Sequence, residues 1–191
     1  DGCAATGQTI HALCDVDKAR AEGAFKKFPG AKVYTDWREM LEIEGDKIDA
    51  VVVSTPDHLH AVATMAALKM GKHVYVEKPL TLTISEARAL HAAAKKAGVC
   101  TQMGNTGHAS EGSRLTNEAI QSGSIGEVGE VHCRTNRPIW PQDLVRPAGE
   151  PVPATLDWNL WLGPAADKPY SGQIAPFKWR GGIDYGTGAL G

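Results

Sequence analysis

Short apolar runs alternate with amphipathic stretches along the first 123 residues of the chain. The apolar runs, such as residues 50–53, are rich in β-branched residues, which is typical of strands that are buried on both faces. The stretches between them repeat apolar residues at helical spacing and end at glycines such as Gly71 and Gly98. Strands that alternate with helices pair in parallel. The pattern therefore predicts an α/β fold, with a doubly wound Rossmann-type parallel sheet, over residues 1–123.

The pattern changes after Gly123. Residues 127–137 alternate between apolar and polar side chains, which predicts one long strand in a sheet with a single covered face. Residues 138–176 are rich in Pro, Gly and Trp and have no helical period. We therefore expect residues 124–191 to form the start of a second, α+β domain.

Composition places the chain among ordinary soluble globular proteins. It has 191 residues, of which 42% are hydrophobic and 22% charged, and its net charge of -2 gives no reason to expect a nucleic-acid partner. Its apolar stretches are too short or interrupted to cross a bilayer, so we expect no membrane partner. The four cysteines lack the spacing of a metal site, and three lie in apolar runs, which predicts buried, reduced thiols and no metal.

Candidate chemistry lies at the ends of the predicted strands. Ligands of a doubly wound sheet bind beyond the carboxyl ends of its strands, where helix N-termini also point. Four predicted strands have polar residues at this end, and these are Asp15, Ser54 with Thr55, Glu77 with Lys78, and Gln102 with Asn105. An acidic residue after the strand at residues 12–14 would accept hydrogen bonds from an adenosine ribose and repel a 2'-phosphate. The alternative is that Asp15 or Asp17 only caps the next helix.

Glu77 and Lys78 allow two interpretations. They could form a weak surface ion pair at a strand end, followed by a turn at Pro79. They could instead place an active-site lysine on the rim of the sheet. The loop through Pro56 leads into a helix that we expect Asp57 to cap.

Two histidines, His58 and His60, open the helix after this loop. A metal site would need further Cys or carboxylate ligands nearby, and the sequence shows none. We therefore expect the histidines to cap the helix start and to line a polar site.

The phosphate-binding turn of a dinucleotide fold is not found in the sequence. Gly2 and Gly7 lack the GxGxxG spacing and follow no predicted strand. We therefore expect the first strand and the Gly-rich turn to precede Asp1, and the chain to be truncated at both ends.

Four motifs together resemble the Gfo/Idh/MocA family, which includes glucose-fructose oxidoreductase and inositol dehydrogenases. They are "ALCDVD", "VVVSTPDHLH" with its TP-x-x-x-H pattern, "GKHVYVEKPLTLTISEA" around the EKP signature, and "QMGN". The resemblance covers essentially the whole chain. It implies an N-terminal Rossmann domain that binds NAD or NADP and a C-terminal α/β domain for substrate and oligomer contacts.

The resemblance also implies roles for individual residues. Lys78 would be the catalytic lysine, and an Asp and a His just beyond Gly191 would complete the proton-handling set. Trp179, Arg180 and Asp184 would contact the substrate or the domain interface. The residues implied in cofactor binding are Asp15, Ser54, Thr55, Pro56, His60, Glu77, Lys78 and Asn105.

The implied function is an NAD(P)-dependent oxidoreductase that transfers a hydride between the nicotinamide and a sugar, polyol or cyclitol hydroxyl. Asp15 favours NAD, whereas the nearby Lys18 and Arg20 leave NADP possible. Two alternatives stay open: glycoside cleavage with transient oxidation by tightly held NAD, and a non-catalytic nucleotide-binding or sensing protein. The full-length protein is expected to be a homo-oligomer. We expect it in the cytoplasm, with periplasmic export as the alternative.

Overall fold

The computed structural model describes residues 2–142 and 145–189. Within them, helices and strands alternate through residue 121, as the sequence predicts. None of the described helices is long and apolar enough to cross a membrane. The helices are α1 Gly2–Ala5, α2 Lys18–Lys27, α3 Trp37–Glu44, α4 Asp57–Lys69, α5 Ile84–Ala97, α6 Glu111–Gln121 and α7 Trp158–Leu162, and the strands are β1 Ala12–Cys14, β2 Lys32–Tyr34, β3 Ala50–Val53, β4 His73–Glu77 and β5 Thr101–Gly104.

The described strands pair in parallel, which confirms the predicted α/β, Rossmann-type fold. β1 pairs with β2, and β3, β4 and β5 form a second sheet with β4 in the middle. In this second sheet Val53 lies opposite Val76, which in turn lies opposite Met103. The Rossmann order 3-2-1-4-5-6 places one strand between β1 and β3, and the described residues provide no strand there.

The helix ends follow local sequence signals. Asp17 caps α2 by accepting hydrogen bonds from two backbone amides of the first turn. Thr83 and Glu86 form a capping box at the start of α5, and Gly98 ends that helix with a φ of 65°. These caps define where each helix begins or ends, and so they define which residues form the loops at the edge of the sheet.

The main core lies where α4 and α5 cover the three-stranded sheet. Ala67 and Leu68 of α4 pack against Val74 and Val76 of β4, and Leu90 of α5 joins the same cluster. All five side chains are buried, and removing a buried Leu from such a core costs about 2–5 kcal/mol. This packing holds α4 rigidly over the loop that follows β3.

A second core lies in the C-terminal segment, which we define as residues 150–189. Trp158 and Trp161 stack with their ring centres 4.5 Å apart, and Tyr170 and Tyr185 meet them edge-on. Trp179 is buried in the same cluster. The Trp residues of this segment therefore form a packed core instead of an exposed surface.

The predicted strand at residues 127–137 is wrong for the structure described. These residues are exposed and have no regular structure, and Val131 is 74% exposed. An alternating strand gains its stability from a neighbouring strand and a covered face, and the described residues supply neither. Leu115 and Ile120 of the preceding helix α6 are exposed as well.

The prediction of buried cysteines is also wrong for most of the thiols. All four are free, but Cys3, Cys100 and Cys133 are exposed, and only Cys14 is partly buried. Cys100 lies just before β5, which has only one neighbouring strand among those described. An apolar run at the edge of a sheet therefore does not ensure burial.

A buried carboxylate ties α3 to the first two strands. Glu44 is 4% exposed, and its oxygens lie 2.8 Å from His11 Nε2, 3.0 Å from the Tyr34 hydroxyl and 3.1 Å from Lys47 Nζ. The hydrogen bonds from His11 and Lys47, followed by that from Tyr34, lower the pKa of Glu44 to about 2. The ionised carboxylate is therefore the form that this network stabilises.

We predict that Glu44→Gln destabilises the fold at neutral pH but not in acid. Because the pKa of Glu44 in the fold lies below its ordinary value of 4.5, its stabilisation is complete above that value and is lost as the pH falls towards about 2. Thermal unfolding of both proteins over this range should show the gap in melting temperature closing. Glu42→Gln, at an exposed position of the same helix, is the control. A gap that stays constant down to pH 2 would contradict the prediction.

Candidate active site

The carboxyl ends of the parallel strands bring the candidate residues to one edge in each sheet. Asp15 directly follows β1, and Ser54 directly follows β3. Glu77 is the last residue of β4, and Asn105 directly follows β5. Parallel pairing places the last three at the same edge of the three-stranded sheet. We refer to this edge as the carboxyl edge.

The two acidic residues after β1 differ in their contacts, and only one of them caps the next helix. Asp17 caps α2, whereas Asp15 accepts a hydrogen bond from the Asp17 amide at 2.9 Å through Oδ1. Burial raises the pKa of Asp15, while this amide and the charge of Arg20 oppose the shift. Among the described residues, Oδ2 of Asp15 has no hydrogen-bond partner, so this oxygen is free to accept one.

The environment of Asp15 is acidic. The thiol of Cys14 is partly buried, and burial together with the charges of Asp15, Asp36 and Glu39 raises its pKa to about 12. The side chain of Asp36 is itself paired with Arg38. Carboxylates therefore lie around the end of β1, with Arg20 and Arg38 as the opposing charges.

The loop after β3 carries Ser54, Thr55 and Pro56. Ser54 is exposed, and the other two are partly buried. The backbone oxygen of Thr55 lies 2.8 Å from Nε2 of His60, and the other ring nitrogen of His60 lies 2.6 Å from the backbone oxygen of Pro79. His60 is 1% exposed, so its ring faces these loops and not solvent.

Glu77 and Lys78 point to different environments. Lys78 is exposed and forms no ion pair or hydrogen bond with a described residue. The surface ion pair between Glu77 and Lys78, one of the two interpretations of the sequence, is therefore not formed in this part of the chain. The Glu77 carboxylate lies over Gly104, where an added Cβ would meet its Oε2 at 2.6 Å and the Tyr75 hydroxyl at 2.8 Å. Gly104 is therefore required for this approach, a role that sequence reasoning did not assign to it.

Asn105 completes the carboxyl edge after β5. Its side chain is exposed, and its backbone oxygen accepts a hydrogen bond from the His108 amide at 3.1 Å. The amide side chain is thus open to a ligand above the sheet. No group of three or more described His, Cys, Asp or Glu residues is arranged to hold a metal ion.

The C-terminal segment docks beside the end of β1. The Lys18 amide donates to the Thr155 oxygen at 3.0 Å, and the Asp157 amide donates to the Val16 oxygen at 2.8 Å. Between them, Asp17 and Leu156 form an antiparallel bridge. The second segment therefore lies directly over the Asp15 loop.

The same segment docks on the first turn of α4. Asp57 does not cap this helix, as the sequence suggested, because Pro56 holds the cap position. Its Oδ2 instead accepts hydrogen bonds from the amide of Thr187 at 3.1 Å and from the hydroxyl of the same residue at 3.3 Å. A carboxylate at a helix start can serve either purpose, so the local sequence could not decide between them.

His58 belongs to this docking surface, and neither His58 nor His60 caps the start of α4 as the sequence suggested. Its Nε2 donates to the Trp161 backbone oxygen at 3.0 Å, and its ring packs against Trp161 and Tyr185. Burial lowers the pKa of His58, and its Nδ1 has no partner among the described residues. The neutral ring, with one donor on Nε2, fits these contacts.

A cavity of about 330 Å³ lies between the Rossmann-type fold and the C-terminal segment. Val16 after β1, Leu59 and Val62 of α4, and Leu160 of α7 provide apolar walls. The polar and charged side chains of the lining are Thr35, Asp36, Arg38 and Asn159. A mostly apolar cleft with a few polar groups, beside the carboxyl end of a strand, is typical of a ligand site.

The three residues expected near the substrate differ in their exposure. Trp179 is buried and donates from its indole to the Pro176 oxygen at 3.0 Å. Asp184 pairs with Lys168. The partly exposed Arg180 guanidinium lies 4.4 Å from the centre of the Trp179 ring and donates to the Phe177 oxygen at 2.9 Å.

Comparisons with known proteins match both parts of the chain. Residues 3–105 match the Gfo/Idh/MocA "oxidoreductase family, NAD-binding Rossmann fold". Residues 138–191 match the "oxidoreductase family, C-terminal alpha/beta domain" of the same name. The two matches are in the order that the family resemblance predicts.

Individual relatives cover shorter regions. A 1,5-anhydro-D-fructose reductase from Ensifer adhaerens is 42% identical over 44% of this chain and 26% of its own length. The NADP(+) scyllo-inositol 2-dehydrogenase of Bacillus subtilis is 33% identical over 62% of this chain and 33% of its own. The crystal structure of an NAD binding oxidoreductase from Klebsiella pneumoniae, 38% identical, superposes with a TM-score of 0.52 over 61% of this chain and 31% of that one. The chain thus spans about a third or less of these proteins.

We predict that Cys14 is the unreactive thiol of the four. Because its pKa is raised to about 12, it carries almost no thiolate at neutral pH, whereas Cys3, Cys100 and Cys133 are exposed. A thiol reagent at neutral pH should therefore label three cysteines quickly and the fourth only after unfolding. Cys14→Ser should leave the fast phase unchanged. Four thiols that react at one rate would contradict the prediction.

Proposed function

This chain belongs to the Gfo/Idh/MocA oxidoreductase family, and from that membership we propose that it is part of an NAD(P)-dependent dehydrogenase. The enzyme transfers a hydride between the nicotinamide cofactor and a hydroxyl group of a sugar, polyol or cyclitol. The relatives named for anhydrofructose and for scyllo-inositol support this substrate class.

The observation that carries the proposal is the position of Lys78. Its side chain is exposed one residue past the end of β4, with no ion-pair partner among the described residues. Ser54, Glu77 and Asn105 lie at the same edge. A lysine at the carboxyl end of a parallel strand, among other polar strand ends, lies where ligands of doubly wound sheets bind.

The residues present fit a dinucleotide at the adenosine end. Asp15 Oδ2 is free to accept a ribose hydroxyl, and the apolar cavity beside Val16 can take a flat ring. The exposed Ser54 and the partly buried Thr55 and Pro56 continue this surface towards β4. We propose that His60 supports these loops from below, and that Glu77, Lys78 and Asn105 lie towards the nicotinamide.

In this proposal each residue has a limited chemical task. The bound nicotinamide supplies the hydride acceptor. Lys78 donates a hydrogen bond to the substrate oxygen and stabilises the alkoxide charge that develops as the hydroxyl proton leaves. Glu77 holds its carboxylate against Gly104, which keeps it from pairing with the lysine.

The rest of the protein follows the same proposal. We propose a Rossmann domain over residues 1–123 and the start of a substrate and oligomer domain over residues 124–191. Arg180 is the proposed substrate contact, while Trp179 and Asp184 shape the surface beside it. The exposed apolar residues Leu115 and Ile120 fit a surface that is covered in a complete homo-oligomer, and free thiols fit a cytoplasmic location.

We predict that Lys78→Met in the complete gene product lowers turnover by about 10²–10⁴-fold, the usual contribution of a positioned proton-handling group. Binding of NADH, followed by its fluorescence, should change little, because the cofactor is held mainly by other residues. Turnover would be measured as NADH formation with inositols and simple sugars as substrates.

The matched control is Lys69→Met, which removes an exposed lysine at the opposite end of α4. It should leave both turnover and binding unchanged. A complete gene product that neither contains nor binds a nicotinamide nucleotide would refute the proposed function. Full turnover in Lys78→Met would refute the role of the lysine.

We predict that Asp15→Ser weakens the preference for NADH over NADPH by at least about tenfold. The carboxylate repels the 2'-phosphate of NADPH, and like charges that meet at a binding site cost several kcal/mol. Dissociation constants for the two nucleotides, measured with the wild type and the variant, test this.

Asp17→Ser is the control for Asp15→Ser. It removes a carboxylate two residues away but keeps a side chain that can cap α2, so the fold is preserved. An equal change in nucleotide preference for both variants would indicate a general charge effect and would contradict a specific role of Asp15.

A further inference from the structure

We propose that His60 is a positioning residue that fixes the Lys78 loop, because its two ring nitrogens lie against backbone oxygens of the loops after β3 and β4. The inference rests on the proposed function, since it concerns the placement of the lysine that the function requires. It goes further by assigning to a buried histidine, which touches neither substrate nor reacting atoms, the task of aiming that lysine.

The geometry of the ring carries the inference. Nε2 of His60 lies 2.8 Å from the backbone oxygen of Thr55, and Nδ1 lies 2.6 Å from that of Pro79. One residue thus joins the cofactor loop after β3 to the residue that follows Lys78. The ring is 1% exposed, so solvent does not compete for either contact.

Both partners of the ring are carbonyl oxygens, which only accept hydrogen bonds. The N–H of the ring therefore faces a loop oxygen in either tautomer, and the ring fills the space between the two loops.

The Lys78 loop needs this contact because the sheet no longer holds it. The last ladder pair between β4 and β5 joins Glu77 to Gly104, so Lys78 lies one residue beyond the ladder. Pro79 has no N–H to donate, and only its carbonyl oxygen can be held. The next anchors along the chain are the Leu80 side chain, which packs against the main core, and the hydroxyl of Thr81, which donates to the Thr83 oxygen.

The helix that carries His60 is rigid. His60 lies in the first turn of α4, and Ala61, Ala63 and Ala67 of this helix are buried in the main core. Because the core fixes the helix, the ring holds the loop in a defined position relative to the core. A contact between two flexible loops would not do so.

His58 provides a matched control on the same turn. It is also buried, at 2% exposed, but its ring contacts the C-terminal segment through the Trp161 oxygen. Replacing either histidine by Gln removes a buried ring from the start of α4. Only the replacement of His60 releases the Lys78 loop.

The hydrogen bonding of the ring can be tested on the wild-type chain by ¹H–¹⁵N NMR of labelled histidine. We expect a ring N–H of His60 that exchanges slowly with solvent, because both ring nitrogens face backbone oxygens in a buried site. The seven histidines are assigned by single replacements, including those of the exposed ones, so the test does not depend on the stability of one variant. A ring N–H of His60 that exchanges as fast as those of the exposed histidines would overturn the buried contact.

The effect on the lysine can be tested with ¹³C-methylated lysines in the wild type, His60→Gln and His58→Gln. The Lys78 signal is assigned with Lys78→Arg, and melting temperatures are recorded in parallel. We expect the Lys78 signal to shift in His60→Gln and to stay in place in His58→Gln, whatever the loss of stability. If the Lys78 signal shifts equally in both variants, or does not shift in His60→Gln, then His60 has only a structural role.

Turnover of the complete gene product separates this inference from the proposed function. Misplacement of a reacting group by about 1 Å can cost about 10²-fold in rate, so His60→Gln should lower kcat by about 10–100-fold while the Kd for NADH changes little. If the wild type binds no nicotinamide nucleotide, the proposed function fails although the NMR results still stand. If the wild type is active and His60→Gln retains its kcat, the positioning role fails alone.

Discussion

Parallel pairing of β3, β4 and β5 is the constraint on which the candidate site depends. Each strand enters the sheet at one edge and leaves it at the other, so the residues after Val53, after Val76 and after Met103 must come together. The side chains there need not attract one another, and in this chain they do not pair. The edge is instead held from below by α4 and α5, whose apolar faces fix the sheet. The polar residues at this edge can then stay unpaired and available to a ligand, because the packing of the core offsets the cost in folding free energy.

The C-terminal segment completes the environment of this edge. It pairs with the backbone after β1 and meets α4 through Asp57 and His58, so its aromatic core is fixed against the fold at two separate places. The cavity lies between the C-terminal segment and the Rossmann-type fold, and neither contact fills it. The ribose-binding candidate Asp15 lies beside one contact, and the loop of Lys78 is connected to the helix that makes the other.

Sequence reasoning predicted the elements well where the signal was local or periodic. The strand at His73–Glu77 and the end of α5 at Gly98 follow directly from residue type and spacing. Roles that depend on a distant partner could not be predicted in this way. Asp57 looked like a cap because its partner Thr187 lies 130 positions further along the chain, and residues 127–137 looked like a strand although no neighbour is present among the described residues. The part played by Gly104 depends on which side chain lies opposite, which only the register reveals.

The first turn of α4 carries two histidines that face different parts of the molecule. The ring of His58 contacts the C-terminal segment, and the ring of His60 contacts the loop of Lys78. An exchange of C-terminal domains within the family would therefore also change the contacts at the start of α4. An incoming domain has to present a carbonyl oxygen to His58 and an amide to Asp57, or these buried polar groups are left without partners. The junction thus restricts which C-terminal domains this Rossmann-type fold can accept.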